Sequence, residues 1–111
     1  MFQVNRQGSV FVLSGTDPLS ADHIEAARSV SEQCFGKGQP QIVLHMAGIP
    51  LLDSAGLEFL LELRDRTLRC GGAMQLAEPR ALCQDILAAT GLASDFAIFD
   101  QLNSAVRSFA Q

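Results

Sequence analysis

Tryptophan and tyrosine are absent from this chain, so stacking on a nucleic-acid base would fall to its seven phenylalanines alone. Positive charge is scarce too: 8 Lys+Arg stand against 12 Asp+Glu, a net charge of −4. A surface of that sign neither follows a phosphate backbone nor clings to an anionic bilayer, so nucleic acid is excluded as a partner. No apolar run exceeds four residues, the longest being Val10–Leu13, Ile86–Ala89 and Phe96–Phe99. A spanning helix needs about 20, and direct membrane insertion is not expected. The opening Met1-Phe2-Gln3-Val4-Asn5-Arg6 lacks the layout of a signal peptide. Cysteine is sparse and odd in number, and Cys34, Cys70 and Cys83 form no CxxC pair. Neither a disulfide framework nor a zinc knuckle is indicated; reduced thiols in a cytoplasmic protein are the expectation.

What is present points to a packed domain. The 111 residues suit one domain spanning 1–111, and 48% hydrophobic content with only 18% charged excludes disorder. Phe2, Val4 and Arg6 alternate with polar residues, and the run Ser9–Leu13 follows a turn at Gly8, which predicts a β-hairpin. Gly15-Thr16-Asp17-Pro18 ends the second strand. From about Leu19 a helix is expected with Ile24, Ala27, Ser31 and Cys34 inward, stopped by Gly36-Lys37-Gly38. Ile42 to Met46 reads as a strand buried on both faces. After the loop Ala47–Leu52, a helix opens at Asp53-Ser54. Its expected stripe is Leu57, Leu60, Leu61 and Leu68, with Phe59 and Leu63 beside it and Glu62–Arg66 and Asp65–Arg69 pairing across its polar face. Gly71-Gly72 closes it before the strand Ala73–Ala77.

Pro79 stands where a first helical turn tolerates proline, ahead of a buried stripe of Leu82, Cys83, Ile86 and Leu87. A short strand, Phe96–Phe99, precedes a last helix capped by Asp100 and buried through Leu102, Val106 and Phe109. The order ββαβαβαβα predicts an α/β fold: a mostly parallel central sheet, an N-terminal antiparallel hairpin at its edge and about four helices.

Chemistry-bearing patterns are few. His23 and His45 have no Cys, Asp or Glu at ligand spacing, and GxGxxG, GxxxxGK[ST] and HExxH are missing, so no metal or cofactor site is expected. Ser54 sits at a strand–loop–helix junction in Leu52-Asp53-Ser54-Ala55-Gly56 rather than in GxSxG, and no catalytic residue is expected. Either Asp53 or Ser54 has the right chemistry for an N-cap.

The stretch from Ile42 to Leu57, ending Asp53-Ser54-Ala55-Gly56-Leu57, resembles the signature of the STAS domain, found in anti-sigma-factor antagonists and in sulfate-transporter tails. Gly71-Gly72 and Thr90-Gly91-Leu92 fit as well, and the element order agrees along essentially the whole chain. By that resemblance Ser54 occupies the phosphorylated position of the antagonists, and Asp53, Ser54, Ala55, Gly56, Leu57 and Glu58 form the partner-binding segment. The implied partners are a serine-kinase anti-sigma factor, which binds the unmodified domain and switches it off, and a serine phosphatase that restores it. Two positions depart from the pattern: Gly15 is followed by Thr16-Asp17-Pro18, and the central strand ends Leu44-His45-Met46.

The switch has a physical basis of its own. A phosphate carries about −1.5 to −2 charge and is tolerated by the electropositive end of a helix. Asp53 and Glu58 add to that charge, while Gly56 leaves room for close backbone approach. A partner packed there would have to bury the charge unpaired, which costs several kcal/mol, or about a thousandfold in affinity. The alternative is a constitutive STAS subunit docked on a membrane transporter of the lipid-transport ABC type.

Overall fold

The computed structural model describes residues 1–36 and 38–110; Lys37, within the predicted helix stop, and Gln111 lie outside them. The elements run β1 (Phe2–Gln7), β2 (Val10–Gly15), α1 (Ile24–Ser31), β3 (Gln41–His45), α2 (Ser54–Arg69), β4 (Ala73–Ala77), α3 (Ala81–Ala89), β5 (Ala97–Phe99) and α4 (Leu102–Ser108). Short 3-10 turns follow α1 (Glu32–Cys34) and α3 (Leu92–Asp95). The sheet has five strands in the order β1-β2-β3-β4-β5. β1 is antiparallel to β2, and every later pair is parallel, as the alternation of strands and helices predicts.

Two apolar clusters divide the sheet's faces. Leu13, Ile42, Leu44, Met74 and Leu76 pack with Ile24 and Ala27 of α1, Phe59, Leu60 and Leu63 of α2, and Cys83 and Leu87 of α3. On the opposite face Val10, Val43 and Ala77 meet Ala105 of α4, flanked by Phe99, Leu102, Val106 and Phe109. β3 is thus covered on both sides, and Ile42, Val43 and Leu44 are fully buried. Each such side chain contributes roughly 1.5–3 kcal/mol through burial.

Several local expectations are corrected. Helix α1 begins at Ile24 because Leu19, fully buried, forms a bridge with Leu52 instead. The buried face of α2 is Gly56, Phe59, Leu60, Leu63 and Thr67, while Leu68 is 46% exposed. Thr67 tolerates burial because its hydroxyl donates to the Leu63 carbonyl at 2.6 Å. Leu82, on α3, is 52% exposed, and burial there falls to Cys83 and Leu87.

The pairs expected along α2, Glu62–Arg66 and Asp65–Arg69, give way to other partners. Glu62 accepts from Arg28 at 3.0 Å, Arg66 pairs with Glu32, and Asp65 faces Arg64 at 3.5 Å. On α4 the buried residue is Ala105, with Leu102, Val106 and Phe109 only partly covered. Asp100 does not cap that helix; the Leu102 N–H donates to Glu78 Oε2 at 2.8 Å.

Candidate functional site

The loop from His45 to Asp53 carries the chain from the C-terminal end of β3 to the start of α2, and Asp53 decides how the helix begins. Its backbone is extended (φ −112°, ψ −171°), the conformation of an N-cap, and its Oδ1 accepts the Gly56 N–H at 3.0 Å. Oδ2 accepts the Ala21 N–H, also at 3.0 Å, from the loop between β2 and α1. These two bonds, that from Ala21 first, hold the Asp53 carboxyl below the usual carboxylate range.

The backbone repeats the join. The Asp53 N–H donates to the Leu19 carbonyl, and the Leu19 N–H donates to the Leu51 carbonyl, both at 3.1 Å. Leu19–Ala21 and Leu51–Gly56 therefore form one unit. This partner loop was not read from the sequence; its one local sign was an apolar Leu19 outside the stripe of α1.

With Asp53 as the cap, Ser54 becomes the first helical residue. It is exposed, and its hydroxyl has no hydrogen-bond partner among the described residues. The ambiguity between the two residues thus resolves into two jobs: Asp53 closes the helix end, and Ser54 is left free at an electropositive N-terminus.

Around it, Glu58 is exposed, and Ala55 and Leu57 are partly exposed. Leu57 also leans on the core. Gly56 is different, because it is buried and its space belongs to the fold. A Cβ there would lie 2.0 Å from the Leu19 carbonyl oxygen. The close backbone approach expected at Gly56 is made by this chain's own Leu19 and leaves no room for a partner. Leu51, 37% exposed, adds an apolar side chain at the mouth of the loop.

The family model of the STAS domain matches residues 1–105. The chain belongs to the STAS domain family. Among solved structures, this STAS domain resembles a Thermotoga maritima protein proposed as an anti-sigma factor antagonist. The TM-score is 0.89 at 20% identity, over 99% of this chain and 95% of that one. It also resembles the anti-sigma factor antagonist SpoIIAA in its unphosphorylated form, with TM-score 0.79 at 17% identity over 99% and 96% of the two chains. A third likeness is to the murine Solute Carrier 26 family member A9 anion transporter. There the TM-score is 0.79 at 20% identity, covering 92% of this chain and 18% of the transporter. At such identities these likenesses carry the fold. No curated protein sequence matches the chain.

The rest of the C-terminal edge holds a second polar cluster that sequence spacing could not reveal. Glu78 has a left-handed backbone (φ 56°), unusual for a residue with a side chain. Its N–H donates to the Phe99 carbonyl at 2.8 Å, and Oε2 takes the Leu102 N–H. Its Oε1 lies 3.2 Å from His45 Nε2, which is buried and off the hydrogen-bonding direction. The bond from Leu102, then the contact with His45, lowers the Glu78 pKa. Among the described residues no group of three His, Cys, Asp or Glu side chains has the arrangement of a metal site. No helix among them is long and apolar enough to cross a membrane.

Proposed function

We propose that this chain is a regulatory protein-binding module of the anti-sigma-factor antagonist type, governed by phosphorylation of Ser54. A serine-kinase anti-sigma factor in the cytoplasm binds the unmodified domain across Asp53, Ser54, Ala55, Leu57 and Glu58 and transfers phosphate to the Ser54 hydroxyl. A serine phosphatase removes it. The module itself catalyses nothing. The observation that carries this reading is the division of labour at the start of α2: Asp53 satisfies the helix end, so the exposed Ser54 hydroxyl can be modified without loss of a structural bond. A phosphate there places about −2 charge beside the Asp53 carboxylate and Glu58, on a rim whose other members are apolar. The fold need not change for binding to be lost.

Affinity capture from the native cell, comparing wild type with Ser54→Ala and Ser54→Asp, tests the proposal together with intact-mass measurement. Ser54→Ala should retain its partner persistently and Ser54→Asp should release it, while wild type carries one phosphate under some growth condition. Equal recovery of one partner by all three, with no phosphorylated species, supports the second reading. In that reading the domain docks constitutively on a transporter, a possibility favoured by the likeness to the STAS-sized portion of an anion transporter.

A further inference from the structure

A cavity of about 290 Å³ opens at the C-terminal ends of β2 and β3, on the sheet face that carries α4. Its floor is a row fixed by strand register. Gln3 pairs with Ser14 across the antiparallel β1–β2 ladder, and Ser14 pairs with His45 across the parallel β2–β3 ladder. Residues opposite one another in register project from the same face, so these three polar side chains stand side by side. One step down the same face, the β2–β3 pair is Val12 and Val43, both buried and apolar. The polar row is therefore a local change of character, confined to the cavity.

The wall is made of backbone. A Cβ on Gly48 would lie 2.4 Å from the Gly15 carbonyl oxygen, so the loop after β3 closes directly onto the end of β2. Thr16 adds a hydroxyl at the rim. No lysine or arginine among the described residues lines the cavity; Met1 does, with its ammonium paired to the Asp17 carboxylate, and Glu78 stands behind His45 with its carboxylate against Nε2. That setting disfavours an anion. The Glu78 carboxylate lies 3.2 Å from Nε2 and covers that edge of the imidazole. Across the floor the ligand meets the imidazole of His45, a donor-acceptor hydroxyl at Ser14 and both functions in the Gln3 amide. Hydroxyl groups, each a donor and an acceptor at once, match this row.

We propose that the Gln3–Ser14–His45 row binds a small, neutral, polyhydroxylated molecule of the sugar or polyol class. The volume is at the bottom of the range for ligand pockets, about 300–1,000 Å³, which limits the occupant to a single ring or a short chain. This site is separate from Ser54 and does not depend on the role proposed for that residue.

The test is an amide-resolved NMR titration of the whole chain with glucose, myo-inositol and glycerol, against inorganic phosphate and acetate. Saturable shifts at Gln3, Ser14, Gly15, His45 and Gly48 with at least one neutral compound support the site. Ser14→Ala and His45→Gln should each weaken that binding by about fivefold to tenfold, the loss of one hydrogen bond. Unchanged amide positions elsewhere in the spectrum show that both variants remain folded. Absence of saturable shifts with all three neutral compounds overturns the proposal. Tighter binding of phosphate or acetate at these amides, or affinity unaffected by both substitutions, overturns it equally.

Discussion

Replacing Glu78 isolates how the last helix is attached. Helix α4 has no side-chain cap of its own at Gln101, and its Leu102 N–H relies on Glu78 Oε2 at 2.8 Å. A hydrogen bond to a charged acceptor contributes roughly 1.5–3 kcal/mol when well shielded, but this side chain is a third exposed. Discounted for solvent, Glu78→Ala should cost about 1 kcal/mol, or about 4–8 °C in Tm for a domain of this size. Glu78→Gly loses the same bond but suits the left-handed backbone at φ 56°, so it should be more stable than Glu78→Ala by about 1 kcal/mol. Glu78→Gln keeps an acceptor and should fall nearest to wild type. Urea denaturation ranks the three variants. Hydrogen exchange should show protection lost first over Leu102–Ser108 and least in β3. If Glu78→Ala matches wild type in both measurements, Glu78 does not anchor α4 and the reasoning fails.

Other outcomes follow from the same geometry. Ser54→Ala should change stability by no more than about 0.5 kcal/mol, since its hydroxyl bonds to nothing among the described residues. Asp53→Ala should be clearly less stable in the same urea titration, with faster amide exchange at Ala21 and Gly56. Gly56→Ala should cost at least about 1–3 kcal/mol, because its Cβ meets the Leu19 carbonyl; wild-type stability would show that this contact yields freely. Asp53, Glu78 and Glu32 all have lowered pKa values, so their stabilisation is complete above the ordinary carboxylate range and is lost as pH falls through their folded values. The acid loss should shrink in an Asp53→Asn, Glu78→Gln double variant, and an unchanged pH profile would count against it. With a thiol reagent at neutral pH, exposed Cys70 should react fast, while Cys34, its pKa raised by burial to about 11, and buried Cys83 wait for unfolding.

The order of elements and the doubly covered β3 were legible because they rest on local signals: turn glycines, short apolar runs and helical spacing. The inward face of α2 was not, since Leu57, Leu60, Leu61, Leu63 and Leu68 leave several candidate stripes open. Packing chose the one that includes Thr67, whose hydroxyl is satisfied within the helix. At the candidate site, composition marked Asp53 and Ser54 but could not divide their roles, because either residue caps a helix well. The extended backbone of Asp53 and the arrival of Ala21 made the division. Gly56 looked like room for a visitor and is filled by Leu19. Glu78 gave no sign in the sequence, since its importance arises only when β4, β5 and α4 converge upon it.

Strand order in this sheet is the order of synthesis. Every strand after β1 therefore pairs with a neighbour that already exists when it leaves the ribosome, and none is inserted between two earlier ones. Loop closure then spans at most one helix at a time, which keeps the entropic cost of each pairing step low. The growing chain never has to hold a slot open for a strand still to come. An incomplete chain exposes just one advancing edge, on which β5 and α4 come to rest last.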